Sequence, residues 1–331
     1  MTGRVLITGG LGFIGLHLAR RLVQSDYSVT LIDNMARGVV DSEAEKLFDH
    51  PLIEFQKVDL LDRQTVLELG SGFSTIFHLA AIIGVSHVSK QPYHVLTANT
   101  TMLDNILELA RRQDALKRVL FSSTSEVYAG TLKQFGLDIP TAETAALAVS
   151  DLSEPRTSYM LSKIMGEALC HHASVPTTIF RPHNIYGPRM GMSHVIPEQL
   201  KRAWRAKEGD SVPVYSPTHS RSFCYIDDAV EMLFRMMSYS SAEGKTLNLG
   251  VSGPEIQMQK LAILCHEVTG KCLGITPMQD TLGSPPRRAP DMTRTNALLE
   301  FEPTVSLENG IKRTWDWYQS NVFGNNKRSA C

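Results

Sequence analysis

A short apolar strand that runs straight into a glycine-rich turn and then a helix constrains this chain more than any other stretch. Residues 4–8 (Arg-Val-Leu-Ile-Thr) read as a buried strand. Gly9-Gly10-Leu11-Gly12-Phe13-Ile14-Gly15 follows, and a helical pattern continues to about Val23. Gly9, Gly12 and Gly15 stand in G-x-x-G-x-x-G spacing. The first glycines permit a tight turn and close approach of the backbone to a pyrophosphate. The last lets the helix pack on the strand, and the helix N-terminus receives negative charge. Strand, turn and helix in that order predict the opening of a dinucleotide-binding α/β sheet.

The next strand, 29–32, ends at Asp33, 18 residues after Gly15. A carboxylate there suits the ribose 2'-hydroxyl of NAD and repels the 2'-phosphate of NADP, although Arg37 lies close by. Strands and helices then alternate. A strand over 53–58 leads to Asp59-Leu60, placed to cover an adenine. A strand over 75–81 follows, and its His78 reads either as a catalytic candidate or as a packed strand-end histidine. Helices are expected at 95–112, 159–172, 197–206, 227–239 and 258–269, and strands at 118–123, 177–180 and 246–250. Residues 129–157 and the Pro- and Arg-rich stretch 285–291 read as loop and turn. The pattern predicts an α/β chain, a Rossmann-type doubly wound parallel sheet with a smaller C-terminal substrate-binding domain. The expected division is 1–182, with a return segment at about 222–250, against 183–221 and 251–323, with a polar tail at 324–331.

The composition narrows the partners. Lys plus Arg is 33 and Asp plus Glu is 34 among 331 residues, so no bulk charge draws the chain to nucleic acid or an anionic membrane. No apolar run approaches the roughly 20 residues of a membrane span. The N-terminal stretch lacks the apolar core and cleavage site of a signal peptide. Cysteines at 170, 224, 265, 272 and 331 form no Cys-x-x-Cys pair and read as reduced, mostly buried thiols of a cytoplasmic protein. No metal site is expected.

Tyr159 and Lys163 are four residues apart and share one face of a helix. An ammonium beside a phenol favours phenolate, which predicts a base able to take a proton from an alcohol near neutral pH.

These stretches together resemble the extended short-chain dehydrogenase/reductase family, specifically its NAD-dependent nucleotide-sugar epimerases, dehydratases and decarboxylases. The resemblance rests on the glycine turn, Asp33, Asp59-Leu60 and His78-Leu79-Ala80-Ala81. It continues through Ser123-Thr124-Ser125-Glu126-Val127-Tyr128, Tyr159-x-x-x-Lys163, Arg181-Pro182-His183-Asn184, Tyr186-Gly187-Pro188-Arg189, Arg221 and Arg288-x-x-Asp291. It implies NAD contacts at Gly9, Gly12, Phe13, Ile14, Gly15, Asp33, Asn34, Asp59, Leu60, Leu79, Ala80, Ala81, Asn99, Tyr159 and Lys163. It implies that Thr124 hydrogen-bonds a sugar 4-hydroxyl whose proton Tyr159 removes, that Lys163 lowers the Tyr159 pKa, and that Asn184, Arg221 and Arg288 (or Arg287 in its place) hold a nucleoside diphosphate.

Thr124-Ser125-Glu126 and Arg287-Arg288-Ala289-Pro290-Asp291-Met292 resemble the UDP-glucuronate decarboxylases. Ser125 stands where the 4,6-dehydratases carry Asp, which argues against dehydration. Residues 78–85 are closer to the epimerase/dehydratase branch, and His183 stands where an apolar aromatic is usual. The expectation is oxidation at C4 of a UDP-sugar followed by decarboxylation of a hexuronate, with a UDP-sugar 4-epimerase as the alternative and a dehydratase or non-catalytic NAD-binding scaffold further behind. Helices 95–112 and 159–172 resemble the pair that builds a homodimer interface in the family. Packing on the chain's own sheet explains their apolar faces equally well.

Overall fold

A computed structural model describes residues 3–149, 151–281 and 284–324. The tail expected at 324–331 lies outside these residues beyond Gly324. The chain opens as β1 (Arg4–Thr8), α1 (Phe13–Val23), β2 (Ser28–Asp33), α2 (Ser42–Phe48) and β3 (Ile53–Lys57). Next come α3 (Arg63–Leu67), β4 (Phe73–His78), α4 (Val85–Lys90), α5 (Pro92–Arg111) and β5 (Arg118–Ser122). After a 3-10 helix at Ser125–Tyr128 the chain forms α6 (Ala129–Phe135), α7 (Thr157–His172) and β6 (Thr177–Pro182). Beyond these lie β7 (Ile185–Tyr186), α8 (Val195–Arg205), β8 (Ser211–Val214), β9 (Ser220–Arg221), β10 (Cys224–Tyr225), α9 (Ile226–Ser238) and β11 (Thr246–Leu249). The chain closes with β12 (Ile256–Gln257), α10 (Met258–Glu267), β13 (Gly274–Pro277), β14 (Arg287–Arg288), α11 (Thr293–Leu299) and α12 (Leu307–Tyr318).

Seven strands form one parallel sheet in the order β11-β6-β5-β4-β1-β2-β3. The order reverses between β1 and β4, so a crevice opens beyond their carboxyl ends, where open α/β sheets take ligands. The strands are apolar on both faces because both are covered. Leu16, Leu18 and Leu22 of α1 and Val230 and Leu233 of α9 share one core, while Met102, Leu103 and Ile106 of α5 and Cys170 of α7 share the other. Among the described residues no helix is long and apolar enough to cross a membrane.

Three expectations need correction. The stretch 129–157 is not all loop, because α6 occupies Ala129–Phe135, straight after the 3-10 turn. The Thr124 hydroxyl starts that turn by accepting from the Glu126 amide at 3.2 Å, a local cap that hydrophobic periodicity does not register. The strand expected at 75–81 spans Phe73–His78 instead, so Leu79–Ala81 belong to the crevice loop. Arg287-Arg288, read as part of a turn, pairs as a short strand with β9.

Three histidines are held neutral by burial. His78 and His183 are depressed to about 3 and His17 to about 4, in each case mainly by desolvation. In the unfolded chain they take protons near 6.5, so the unfolded state binds more protons below that pH. Their contribution is complete above pH 6.5 and is lost as pH falls toward these depressed values, at up to about 1.4 kcal/mol per pH unit for each histidine. Thermal melts of the protein are therefore expected to move down steadily from pH 6.5 to pH 4. A melting temperature flat across that range would contradict this account.

Candidate active site

The glycine turn is built for close approach. Gly9 has φ +67, and a Cβ there would meet the Ala80 backbone at 3.0 Å. A Cβ on Gly15 would lie 2.5 Å from the Gly9 carbonyl oxygen. The N-cap of α1 is Gly12, with no side-chain cap, so first-turn amides around Phe13 and Ile14 remain available to an anion. Asp33 stands at the end of β2 beside this turn. Its carboxylate accepts from the Leu11 amide at 3.2 Å and the Met35 amide at 2.9 Å. Asn34 and Asp59 are exposed and cap their own loops, accepting from Ala36 and Leu61. Leu60 is buried, and its carbonyl accepts from Asn105 at 2.8 Å.

The opposite lip of the crevice is the loop after β4. The Thr8 hydroxyl accepts from the Leu79 and Ala80 amides, both at 3.1 Å, and lies 3.0 Å from His78 Nδ1. With both acceptor sites used, the Thr8 proton goes to Nδ1, which fixes the neutral Nε2–H tautomer. His78, stacked on Phe121, is thus the packed strand-end residue. Ala81 lies half-buried on this loop. Asn99, buried on α5, reaches this loop. It accepts from the Ile82 amide at 2.7 Å and donates to the Ile82 carbonyl and Ser162 Oγ, so it pins the loop.

At the centre, α7 brings Tyr159 and Lys163 toward the end of β5. Lys163 Nζ donates to the Ser122 carbonyl at 2.7 Å and lies 6.0 Å from the Tyr159 ring centroid. Burial brings Lys163 down to about 8. The groups that move the Tyr159 pKa in this arrangement are others than Lys163. Burial pushes the phenol well above its ordinary value, and the Glu126 carboxylate pushes the same way. A hydrogen bond with Thr124 and the charge of Arg37 pull it down. Arg37, an exposed residue of the loop after Asp33, thus acts on the middle of the crevice, and its charge is felt at His194 too.

Beyond Tyr159 lies a charged cluster. Glu126 Oε1 and Arg288 Nη1 are 2.6 Å apart, with side chains 37% and 26% exposed. Burial alone would raise the Glu126 pKa, but Arg288, with help from Arg156 and Arg221, holds it below the usual carboxylate range. Arg288 also donates to Asn184 Oδ1 at 3.3 Å, and Asn184, at φ +42, anchors itself on the Ser222 carbonyl. Strand alternation separates Arg288 from Arg287, which pairs with Glu255 instead. Arg221 is buried beside Arg288 and donates to Ser220, Ser284 and Pro285. Burial and the neighbouring Arg288 charge lower it to about 10. Ser125 is buried on the 3-10 turn between Thr124 and Glu126.

Two contributors escaped sequence reasoning. Arg156 lies three residues before Tyr159 at the start of α7, one helical turn away, a spacing that was there to be read. Arg189 was visible as part of a motif but had no assigned role. Its guanidinium pairs with Asp41 at 2.7 Å and donates to the carbonyls of Val39 at 3.0 Å and Leu11 at 3.4 Å. It therefore ties the loop after Asp33 to the glycine turn. Losing a buried charge-assisted bond of about 1.5–3 kcal/mol frees that loop. Arg189→Met is expected to weaken NAD binding about tenfold by titration calorimetry, with turnover at saturating NAD nearly unchanged. Unaltered NAD affinity would show that the tie does not bear on the cofactor.

A glycine cradle, a ribose-side carboxylate and a Thr–Tyr–Lys group on one Rossmann sheet define an NAD-dependent enzyme of the short-chain dehydrogenase type. The chain belongs to the NAD dependent epimerase/dehydratase family, whose model matches residues 5–250. It is 34% identical to a UDP-N-acetyl-alpha-D-glucosaminuronate decarboxylase of Bacillus cytotoxicus, over 96% of this chain and 98% of the relative. It is 30% identical to UDP-glucuronic acid decarboxylase 1 of Xenopus tropicalis, over 96% of this chain and 73% of the relative. Its fold matches the UDP-glucuronic acid 4-epimerase of Bacillus cereus, solved with UDP-glucuronic acid and NAD, with a TM-score of 0.78. That match has 25% identity and covers 96% of this chain and 99% of the other.

Proposed function

We propose that this enzyme oxidises C4 of a UDP-linked hexuronate and then decarboxylates it. The observation that carries this reading is the Glu126–Arg288 ion pair, set within reach of the Tyr159 phenol's electrostatic field and joined by Asn184. The decarboxylases of UDP-glucuronic acid and UDP-N-acetylglucosaminuronic acid among the relatives supply the substrate class.

The NAD contacts are proposed at Gly9, Gly12, Phe13, Ile14, Gly15, Asp33 and the 79–81 loop, with Lys163 on the nicotinamide side. When bound, NAD supplies a hydride acceptor at C4 and a positively charged ring. Thr124 orients the 4-hydroxyl, and Tyr159 takes its proton. Arg221 and Asn184 surround the diphosphate end, where a guanidinium fork matches phosphate oxygens, and Arg288, expected there too, is drawn toward the sugar by Glu126. A 4-ketone makes the C6 carboxylate a β-keto acid. The C5–C6 bond then breaks, its electron pair passes into the C4 carbonyl, and carbon dioxide leaves. The enolate takes a proton at C5, the hydride returns to C4 and Tyr159 gives the proton back to the C4 oxygen, so the sugar leaves lighter by carbon dioxide alone. Glu126, held ionised, does not donate the C5 proton at rest. It holds Arg288 at the reacting end of the sugar, where a cation stabilises the developing enolate.

A 4-epimerase is the second reading, favoured by the 78–85 segment and by the Bacillus cereus neighbour. Mass spectrometry of products from UDP-glucuronate and UDP-N-acetylglucosaminuronate separates the two. A product lighter by carbon dioxide supports decarboxylation, and an isobaric product resolved by chromatography overturns it.

The 183–221 and 251–323 segments are proposed as the nucleotide-sugar unit. A homodimer is proposed through α5 and α7, whose outward side carries the exposed Met165 and the half-buried Leu96, Leu161 and Leu169. A cytoplasmic setting fits the free thiols of Cys170, Cys224, Cys265 and Cys272.

A further inference from the structure

Asn248 lies on β11, at the sheet edge, and is fully buried. Its amide is used at both ends. Nδ2 donates to the carbonyls of Thr141 at 2.9 Å and Asp291 at 3.0 Å. Oδ1 accepts from the Tyr128 hydroxyl at 3.2 Å and faces His183 Nε2 at 3.1 Å. Its backbone amide donates to the buried Glu143 carboxylate at 2.8 Å, which Thr295 also reaches.

The partners of this one side chain belong to the two arms that carry the Glu126–Arg288 pair. Tyr128 is the last residue of the 3-10 turn that holds Glu126. Asp291 lies three residues beyond Arg288, on the segment that follows β14. Thr141 brackets the same segment: its amide donates to Ala289 at 2.9 Å, and its carbonyl accepts from Asp291 at 2.8 Å. The register of Arg288 is thus set by β9 on one side and by Thr141 and Asn248 on the other. A half-exposed ion pair is a weak constraint by itself, since two long side chains must be ordered to make it. A saturated buried amide that bonds the backbone of one arm and the Tyr128 hydroxyl of the other is a stiffer one.

We propose that Asn248 is a positioning residue for the Glu126–Arg288 pair and governs the fate of the 4-keto sugar without governing its formation. The proposal rests on the decarboxylase reading above. It separates the two steps because, among the described residues, the elements that bear Tyr159 and Lys163 make no bond to the Asn248 side chain, and Thr124, at the far end of the 3-10 turn from Tyr128, is held by its own bond to the Glu126 amide. Asn248→Asp keeps the acceptor toward Tyr128 and removes both donors toward Thr141 and Asp291. Tyr128→Phe removes the other arm and keeps the ring; it also takes one acceptor from Arg181 Nη1, at 2.7 Å, whose ion pair with Glu167 of α7 remains.

The test uses the holoenzyme with UDP-glucuronate. Single-turnover absorbance at 340 nm reads C4 oxidation, and trapped carbon dioxide reads the second step. For both variants, carbon dioxide release is expected to fall about tenfold or more while the oxidation rate and KM stay within about twofold, and released 4-keto sugar accumulates. If both steps fall together, or neither falls, the proposal is wrong, and Asn248 serves stability alone. Should Asn248→Asp fail to fold, Tyr128→Phe decides by the same criteria. Wild-type enzyme that oxidises the sugar but releases no carbon dioxide overturns the decarboxylase reading, and this proposal with it.

Discussion

Tyr159→Phe is expected to cut turnover by about 10³-fold on every substrate while binding of the nucleotide changes little. The reason lies in the electrostatics of the phenol. Burial and the nearby Glu126 carboxylate hold it protonated, and Thr124 and Arg37 oppose them. The side chain is therefore poised so that a bound cation shifts it toward phenolate, and removing its oxygen leaves no group in place to accept the C4 hydroxyl proton. Stopped-flow absorbance of the reduced cofactor would show the loss in the first step itself. Unimpaired reduction in the variant would remove Tyr159 from the chemistry and reopen the case for a non-catalytic NAD-binding scaffold.

Glu126→Gln is expected to act on the other half of the reaction. Glutamine keeps the length and one hydrogen bond to Arg288 but gives up the charge. The guanidinium is then free to settle on phosphate or carboxylate oxygens away from its working position. Carbon dioxide release should fall about 10²-fold, within the range for losing a preorganised charged group. The first step should survive or quicken, because the Glu126 charge raises the Tyr159 pKa and its removal lowers it. The opposite signs on the two steps make the variant diagnostic. Decarboxylation unchanged in Glu126→Gln would sink the assigned role, and loss of oxidation would mean that Glu126 supports Tyr159 instead.

The parts of the molecule legible in the sequence were those set by local rules. The glycine turn had to follow a strand and open a helix, and Asp33 had to close the next strand, because backbone sterics and charge allow little else. Tyr159 and Lys163 followed from helical spacing. The pairing of Glu126 with Arg288 spans 162 residues, and local reasoning gives no distance for it. Family resemblance singled out both residues, and folding brought them to 2.6 Å. The electrostatics around Tyr159 also lay beyond helical spacing. The helix spacing places the ammonium a turn away, but burial of both groups and the Ser122 carbonyl that engages Lys163 decide the outcome. The hold of Asn99 on the backbone of the Ile82 loop was equally out of reach of local spacing. The network of Asn248, Thr141 and Glu143 was silent because its members are ordinary polar residues whose meaning arises from three distant segments meeting. His183 makes sense there: it replaces an aromatic with a ring that also bonds Asn248.

The most direct test of the central claim is the product formed from UDP-glucuronate by the wild-type enzyme in heavy water, measured by mass spectrometry and proton NMR. Decarboxylation through an enolate predicts a sugar nucleotide lighter by carbon dioxide with one solvent deuterium fixed at C5. An isobaric sugar nucleotide without deuterium at C5 would contradict the account and establish epimerisation in its place.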